Sequence, residues 1–309
     1  MLKYTIKRLL ALIPTMLVLS FIVYWIMSLT GDPVMTVLGD TATPEEIASM
    51  RESLGLDDPF IIRYARYIND ILHGNFGKGL YGNDVWEEFR VRIPYTLELA
   101  VAAMFVTVVI AIPCGIIAAV KQNTWIDTVL SALAMAGISL PSFWLGLMMI
   151  ILFAVKLGWL PTSGANGPTS IIMPAIVSGV SNASLVARMS RSSMVDQLHA
   201  DYLRTARAKG VKERVVVLKH ALGNALIPII TIVGSQFSIL MGGTVVTETV
   251  FSWPGVGAYL VSCIRWNDYT MVTSFTLLIT VFIALVLLAV DILYAFVDPR
   301  IKARYTKSQ

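Results

Sequence analysis

Six apolar runs dominate this chain, and each approaches the roughly 20 residues that cross about 30 Å of a bilayer's hydrocarbon as a helix, the fourth being the shortest. They lie at about Leu9–Leu29, Leu97–Val120, Val129–Val155, Ile171–Ala187, Ala225–Val246 and Thr273–Val297. Inside hydrocarbon every backbone N–H and C=O must be satisfied within the protein, so such runs have little choice but to be helices. Only 14% of the 309 residues are charged and 56% are hydrophobic, whereas soluble domains carry about 25% charged residues. The predicted fold class is an all-α polytopic membrane protein with six transmembrane helices.

The charge pattern sets the orientation. Lys3, Lys7 and Arg8 precede the first run, which is too long for a signal-peptide core. Arg188 to Asn224 carries Lys or Arg at 188, 191, 204, 207, 209, 212, 214 and 219 against acids at 196, 201 and 213, and the tail adds Arg300, Lys302, Arg304 and Lys307. Basic residues collect in cytoplasmic loops. An even number of crossings puts both termini on that same side, so span count and charge agree on N-in, C-in. The net charge of +4 follows from this rule. No basic stripe interleaved with aromatics suggests nucleic acid.

The division expected is a first transmembrane helix over 1–29, an extracytoplasmic insert over 30–95, and a five-helix core over 96–298. The core contains a cytoplasmic loop at 188–224, and a tail covers 299–309. In the insert, Thr43-Pro44-Glu45-Glu46 reads as a helix start, with Thr at the N-cap and Pro first. Ile61, Tyr64, Ala65, Ile68 and Leu72 predict a second helix, ended by Gly74, Gly77, Gly79 and Gly82. Two cysteines, Cys114 and Cys263, and three scattered histidines offer neither a disulfide framework nor a metal site.

Pro141, with Gly137 and Gly146, interrupts the third run. It marks either an ordinary kink or a helix that lines a path. Small residues from Ala175 to Ser184 suit close helix contact in the fourth. No strong internal repeat and no deep ionisable residue before the last run speak for an ion-coupled carrier.

The basic loop centres on Asp201–Pro228. His199, Tyr202, Leu203, Ala206 and Gly210 fall on one helical face, with Arg204, Arg207 and Ala208 round the other side. Gly210 permits a sharp exit. Val211, Val215, Leu218, Leu222 and Leu226 continue as an apolar stripe, read as lying on the membrane surface before turning in at Pro228. The short helix is either a docking site for a protein partner or held by lipid headgroups alone.

Asp201–Pro228 resembles the signature cytoplasmic loop of ABC-importer permeases, the EAA-type motif with its glycine. Arg204-Thr205-Ala206 stands where that motif has Glu-Ala-Ala, and the run from Gly210 to Pro228 is longer. Arg-Thr-Ala-Arg-Ala-Lys-Gly is the form typical of the dipeptide/oligopeptide/nickel subfamily. Further blocks are similar to the same subfamily, in order: Arg92–Ala100, Leu140–Gly146, Leu157–Gly164, Thr247–Gly257 and Asp298-Pro299-Arg300.

The resemblance implies a type I importer permease, the first of two related permease subunits, working with two ATPase subunits and an extracytoplasmic substrate-binding protein in membrane lipid. ATP and Mg belong to the ATPases, and no G-x-x-x-x-G-K-[ST] occurs here. The chain is then no enzyme and holds no cofactor or metal. It is a multi-pass protein of a bacterial inner membrane. Coupling to the ATPase is expected of Tyr202, Leu203, Arg204, Ala206 and Gly210. The path or gate is expected at Pro141, Gly242, Gly243, Glu248, Phe251, Trp253, Pro254 and Gly255. Glu248 reads either as a carboxylate that meets a cationic group of the substrate or as a helix-end carboxylate. Phe251 and Trp253 read either as gate and partner contacts or as packing. Peptides are the expected cargo, with nickel complexes, glutathione or oligosaccharide as alternatives. A stand-alone secondary carrier, or a scaffold without substrate, is the reading from other classes.

Overall fold

The computed structural model describes residues 2–30, 33–39, 42–53 and 55–297. Asp298-Pro299-Arg300 and the tail lie outside them. The described chain is helical throughout apart from turns and one isolated bridge, Lys78 to Asp84. It divides into two compact units.

The first unit holds residues up to Pro94 together with Gly255–Leu285. It contains α1 (Leu2–Thr30), α2 (Pro33–Leu38), α3 (Pro44–Ser53), α4 (Phe60–Leu72), the start of α5 (Val85–Val120), α13 (Val256–Arg265) and most of α14 (Tyr269–Val297). The α3 start is a reciprocal cap. The Thr43 N–H donates to Glu46 Oε2 at 2.9 Å, and the Glu46 N–H donates to Thr43 Oγ1 at 3.3 Å. In α4 the aromatic residues, not the aliphatic stripe, face the protein. Phe60, Tyr64 and Tyr67 pack on Phe21 and Tyr24 of α1, and the Tyr64 hydroxyl donates to the Leu17 carbonyl at 3.0 Å. Ile61, Ile62 and Leu72 stay exposed. The core joins Met27, Val85, Phe89, Cys263, Met271 and Phe275. Burial pushes the Cys263 thiol up to about 12, which leaves it unreactive. Asp268 caps α14, accepting from the N–H groups of Leu80 (2.8 Å) and Met271 (3.0 Å).

The second unit runs from Tyr95 to Pro254, with the last described turns of α14. It contains the rest of α5, then α6 (Trp125–Ser139) and α7 (Ser142–Met149), which continues π-helically over Ile150–Lys156. Next come α8 (Ile172–Leu198), α9 (Asp201–Ala208) and α10 (Glu213–Val215). The last passes through a π-helical stretch, Val216–Ala221, into α11 (Leu222–Gly243), and α12 (Val245–Val250) follows. The centre is α8, whose buried residues include Ala175, Ser178, Gly179, Ala183, Ser184, Ser190 and Ser193. Large apolar residues such as Phe105 (69% exposed), Leu133 and Leu185 point outward. This inverts a soluble core. Lipid tails are as apolar as leucine, so helices associate by close backbone approach at small residues.

One such approach is at Gly179. A Cβ there would sit 2.7 Å from Val106 Cβ and 2.8 Å from the Ala103 carbonyl oxygen. Backbone cannot yield as a side chain does, so Gly179→Val should cost at least the roughly 1–3 kcal/mol of overpacking. A lower thermal midpoint in detergent is the expected reading, while Leu185→Ala, on an exposed residue, should leave it unchanged.

Four boundaries differ from the sequence reading. The third run is two helices bent by 98° at Leu140-Pro141. Proline disfavours the α region in the residue before it, and Leu140 is extended (φ −80°, ψ 123°), so this is a break and not a kink. The fourth helix does not stop at Arg188 but continues to Leu198. The fifth begins at Glu213 and runs unbroken past Pro228 to Gly242. No surface helix turns in at Pro228, and the stretch between the two long helices is residues 199–212. Thr247–Val272, between the last two apolar runs, is largely the helices α12 and α13.

Among the described residues five helices are long and apolar enough to cross a membrane, or six when the bent pair counts as one. It must count as one. A pair that returned to its own side would place residues 199–212 opposite Lys3, Lys7 and Arg8, against the positive-inside rule.

Candidate functional site

Two clusters in the second unit gather the residues singled out from the sequence. The first surrounds α9. Its eight residues follow the extended Ala200 (ψ 143°). Gly210, at φ +76°, ends it in a Schellman arrangement. The Gly210 N–H donates to the Arg207 carbonyl at 2.9 Å and the Val211 N–H to the Ala206 carbonyl at 3.3 Å. Val211 and Ala206 both pack against the buried cluster around Leu203.

The face predicted to meet a partner is split. Leu203 is 0% exposed and, with Ala206, packs on Ala119 of α5, Met194 of α8, and Val216, Val217 and Ala221 of the π-helical stretch. Leu203 is therefore unavailable to a partner and anchors α9 to three helix ends. The inner surface takes alanines where a soluble helix would show large residues. Leu218, from the predicted stripe, is exposed.

The outward face carries Arg204, paired with Asp201 at 3.5 Å, together with Thr205, Ala208 and part of Tyr202. The Tyr202 hydroxyl donates to Gln197 Oε1 at 2.9 Å. Arg207 grips Glu213 through Nε (3.0 Å) and a terminal nitrogen (2.8 Å), tying α9 to the start of α10. That bond holds the Arg207 proton above even its ordinary value.

A tie near this end is absent from the sequence reading. Arg191, taken there as a topology marker, makes two 2.6 Å bonds to the carboxylate of Asp127 at the start of α6. Asp127 is 5% exposed and also accepts from the Asn123 N–H at 3.0 Å. Arg191 lies 64 residues from it, which no local pattern reveals. Arg188 remains exposed.

The second cluster brings four of the quoted sequence blocks together around Thr247–Pro254. Glu248 is 0% exposed. Its Oε1 accepts from Thr96 Oγ1 (2.7 Å) and Thr244 Oγ1 (3.1 Å). Trp253 is buried on Leu99 and Ala175 and donates from Nε1 to the Tyr95 carbonyl at 2.9 Å. Phe251 packs on Met173 and Val177, its ring lies against Gly146, and its carbonyl accepts the Gly164 N–H at 2.8 Å. Ser252, at φ +48°, makes the sharp turn that lets both aromatic rings point inward. Of this turn Ser252 and Pro254 are exposed. Gly255 caps α13 in the other unit. Pro141 sits at the break, and Gly242 and Gly243 end α11 one residue before α12.

A polar seam that sequence reading passed over runs through this unit. Ser178 donates to Thr247 Oγ1 (2.9 Å), and Gln236 Nε2 donates to Asn182 Oδ1 (2.9 Å). Glu98, on the Arg92–Ala100 block, is exposed in an apolar groove with Val101, Phe105 and Ile172. A carboxylate on an apolar helix face was the available signal.

Glu248 has a decisive test. Glu248→Gln keeps the shape and an oxygen that accepts from both threonines, so folding and uptake should stay within about twofold of wild type. Glu248→Ala removes the acceptor that both hydroxyls share and should cost about 1–3 kcal/mol. Abolished uptake in a well-folded Glu248→Gln would instead make the carboxylate a direct substrate contact.

Residues 111–303 match the family model described as binding-protein-dependent transport system inner membrane component, and residues 1–100 match its N-terminal companion. The dipeptide transport system permease protein DppB of Alkalihalophilus pseudofirmus is 39% identical over 98% of this chain and 100% of its own. The glutathione transport system permease protein GsiC of Salmonella typhimurium is 44% identical over 98% of this chain and 99% of its own. Among solved structures, a chain of the inward-facing MetNI methionine ABC transporter superposes with a TM-score of 0.59 at 20% identity. It covers 68% of this chain and 96% of its own. At that identity the likeness speaks for the fold alone. The matches across nearly the full length make this chain a member of the binding-protein-dependent transport system inner membrane component family, an ABC-importer permease subunit.

Proposed function

We propose that this subunit forms half of a path for peptides, opened and closed by ATP hydrolysis in separate subunits. As a family member it is a multi-pass protein of the bacterial inner membrane. The partners are a second related permease, two ATPases that bind ATP and Mg, and an extracytoplasmic binding protein. In this reading α9 is the lever. The observation that carries it is the division of its faces, with Leu203 locked among the ends of three membrane helices and Arg204 turned outward. A push on the outer face then moves those helix ends together, and Gly210 fixes the angle of exit.

On the far side, α6–α7 change direction at the Pro141 break, and α11 gives way to α12 after Gly242-Gly243. Glu248, Phe251 and Trp253 hold the turn from within. Ser252, Pro254 and the Glu98 groove are the surfaces left for cargo or partners. The similarity to dipeptide and glutathione permeases supports small peptides as cargo.

Proteoliposomes containing the complete complex provide the test. Labelled dipeptide should accumulate only with ATP on the ATPase side and binding protein on the other, and glutathione serves as the competing cargo. Uptake by this chain alone, driven by an ion gradient, would establish a secondary carrier and overturn the proposal.

A further inference from the structure

We propose that the first unit holds a binding site for the phosphodiester of an anionic phospholipid in the outer leaflet. A cavity of about 270 Å³ opens among α1, α4, the glycine loop and the start of α14. Tyr24 and Ser28 stand on the last two turns of α1, and Tyr269 and Thr273 on the first turns of α14. Both are the outer ends of membrane helices, the level at which hydrocarbon gives way to headgroups and tyrosines collect.

The lining is cationic. Arg63, Arg66 and Lys78 face it against a single acid, Asp70. Arg66 is already bonded to Asp58 at 2.8 Å. The Arg63 Nε is buried and has no hydrogen-bond partner among the described residues. A buried guanidinium donor left unsatisfied is costly, and its planar fork matches two oxygens of a phosphate. With Asp70 in the wall, a monoanionic diester suits better than a dianion. The volume holds a phosphodiester and part of its glycerol, and the exposed Trp25 and Leu29 on the same turns of α1 leave apolar surface for acyl chains. The aliphatic residues that α4 leaves uncovered, Ile61, Ile62 and Leu72, give this helix the apolar face of one lying in the membrane surface.

The experiment is native mass spectrometry of the intact transporter complex after exchange into equal phosphatidylglycerol and phosphatidylcholine. The wild type should retain one phosphatidylglycerol with about tenfold preference, the range a charge-assisted contact supports. Arg63→Gln should lose most of that preference, Arg63→Lys should keep much of it, and Arg66→Gln should change it less. Lys78→Gln, on an exposed loop residue, gives the same direction of loss if Arg63→Gln fails to fold. Equal retention by wild type and Arg63→Gln, or no preference between the lipids, overturns the proposal. So does stabilisation by inorganic phosphate alone that matches and displaces phosphatidylglycerol, since the ligand is then a free anion.

Discussion

Gly210→Val is expected to leave the subunit inserted and assembled while lowering ATP-driven uptake by about tenfold or more. The left-handed φ of +76° costs an L-residue about 1–2 kcal/mol, and β-branching makes it worse. Space is not the obstacle, because an added Cβ at Gly210 meets nothing within 4 Å. The whole effect is therefore backbone strain. It is relieved by breaking the two capping bonds to Arg207 and Ala206, which frees α9 from its exit angle. ATP hydrolysis should continue, uncoupled from transport. Gly210→Asn is the control, since asparagine tolerates this conformation, and it should retain most of the uptake. Paired assays of phosphate release and cargo uptake read both quantities.

Arg191→Ala should be the most damaging change to stability. It strands the Asp127 carboxylate at 5% exposure after removing two 2.6 Å bonds. Breaking a buried pair costs about 3–5 kcal/mol, and the lower figure applies here because the Arg191 side chain is 30% exposed. The start of α6 should detach from α8, lowering the thermal midpoint of the purified protein. Asp127→Asn combined with Arg191→Gln removes both charges together and should recover much of that loss. A double variant no better than Arg191→Ala would show that the side chains matter for packing rather than for charge.

The run lengths announced the crossings because hydrocarbon leaves the backbone no alternative to the helix. The α3 cap was legible for a similar reason: Thr43 and Glu46 are three residues apart and interact locally. The cluster around Glu248 was only half legible. Its blocks could be quoted in order, yet that Thr96, Gly146, Gly164 and Phe251 meet depends on how helices pack. The inward face of α9 was hidden too. Periodicity finds an apolar stripe, but beside a membrane the stripe belongs to lipid, as at Leu218, while small residues such as Ala206 and Ala221 mark the protein contact. The π-helical stretch at Val216–Ala221 also shifts the register by a residue, so Val216, Val217 and Ala221 are buried while Val215 and Leu218, from the stripe read as facing the membrane surface, stay exposed.

The central claim is that the outward face of α9 meets an ATPase while Leu203 holds the helix to the membrane core. A photo-reactive residue at Arg204, in the complete complex within native membranes, measures this most directly. The account predicts an adduct with a protein carrying a nucleotide-binding motif, and no such adduct from His73 in the extracytoplasmic insert. Absence of that adduct at Arg204 and at the neighbouring Ala208, in a complex that still takes up cargo, would contradict it.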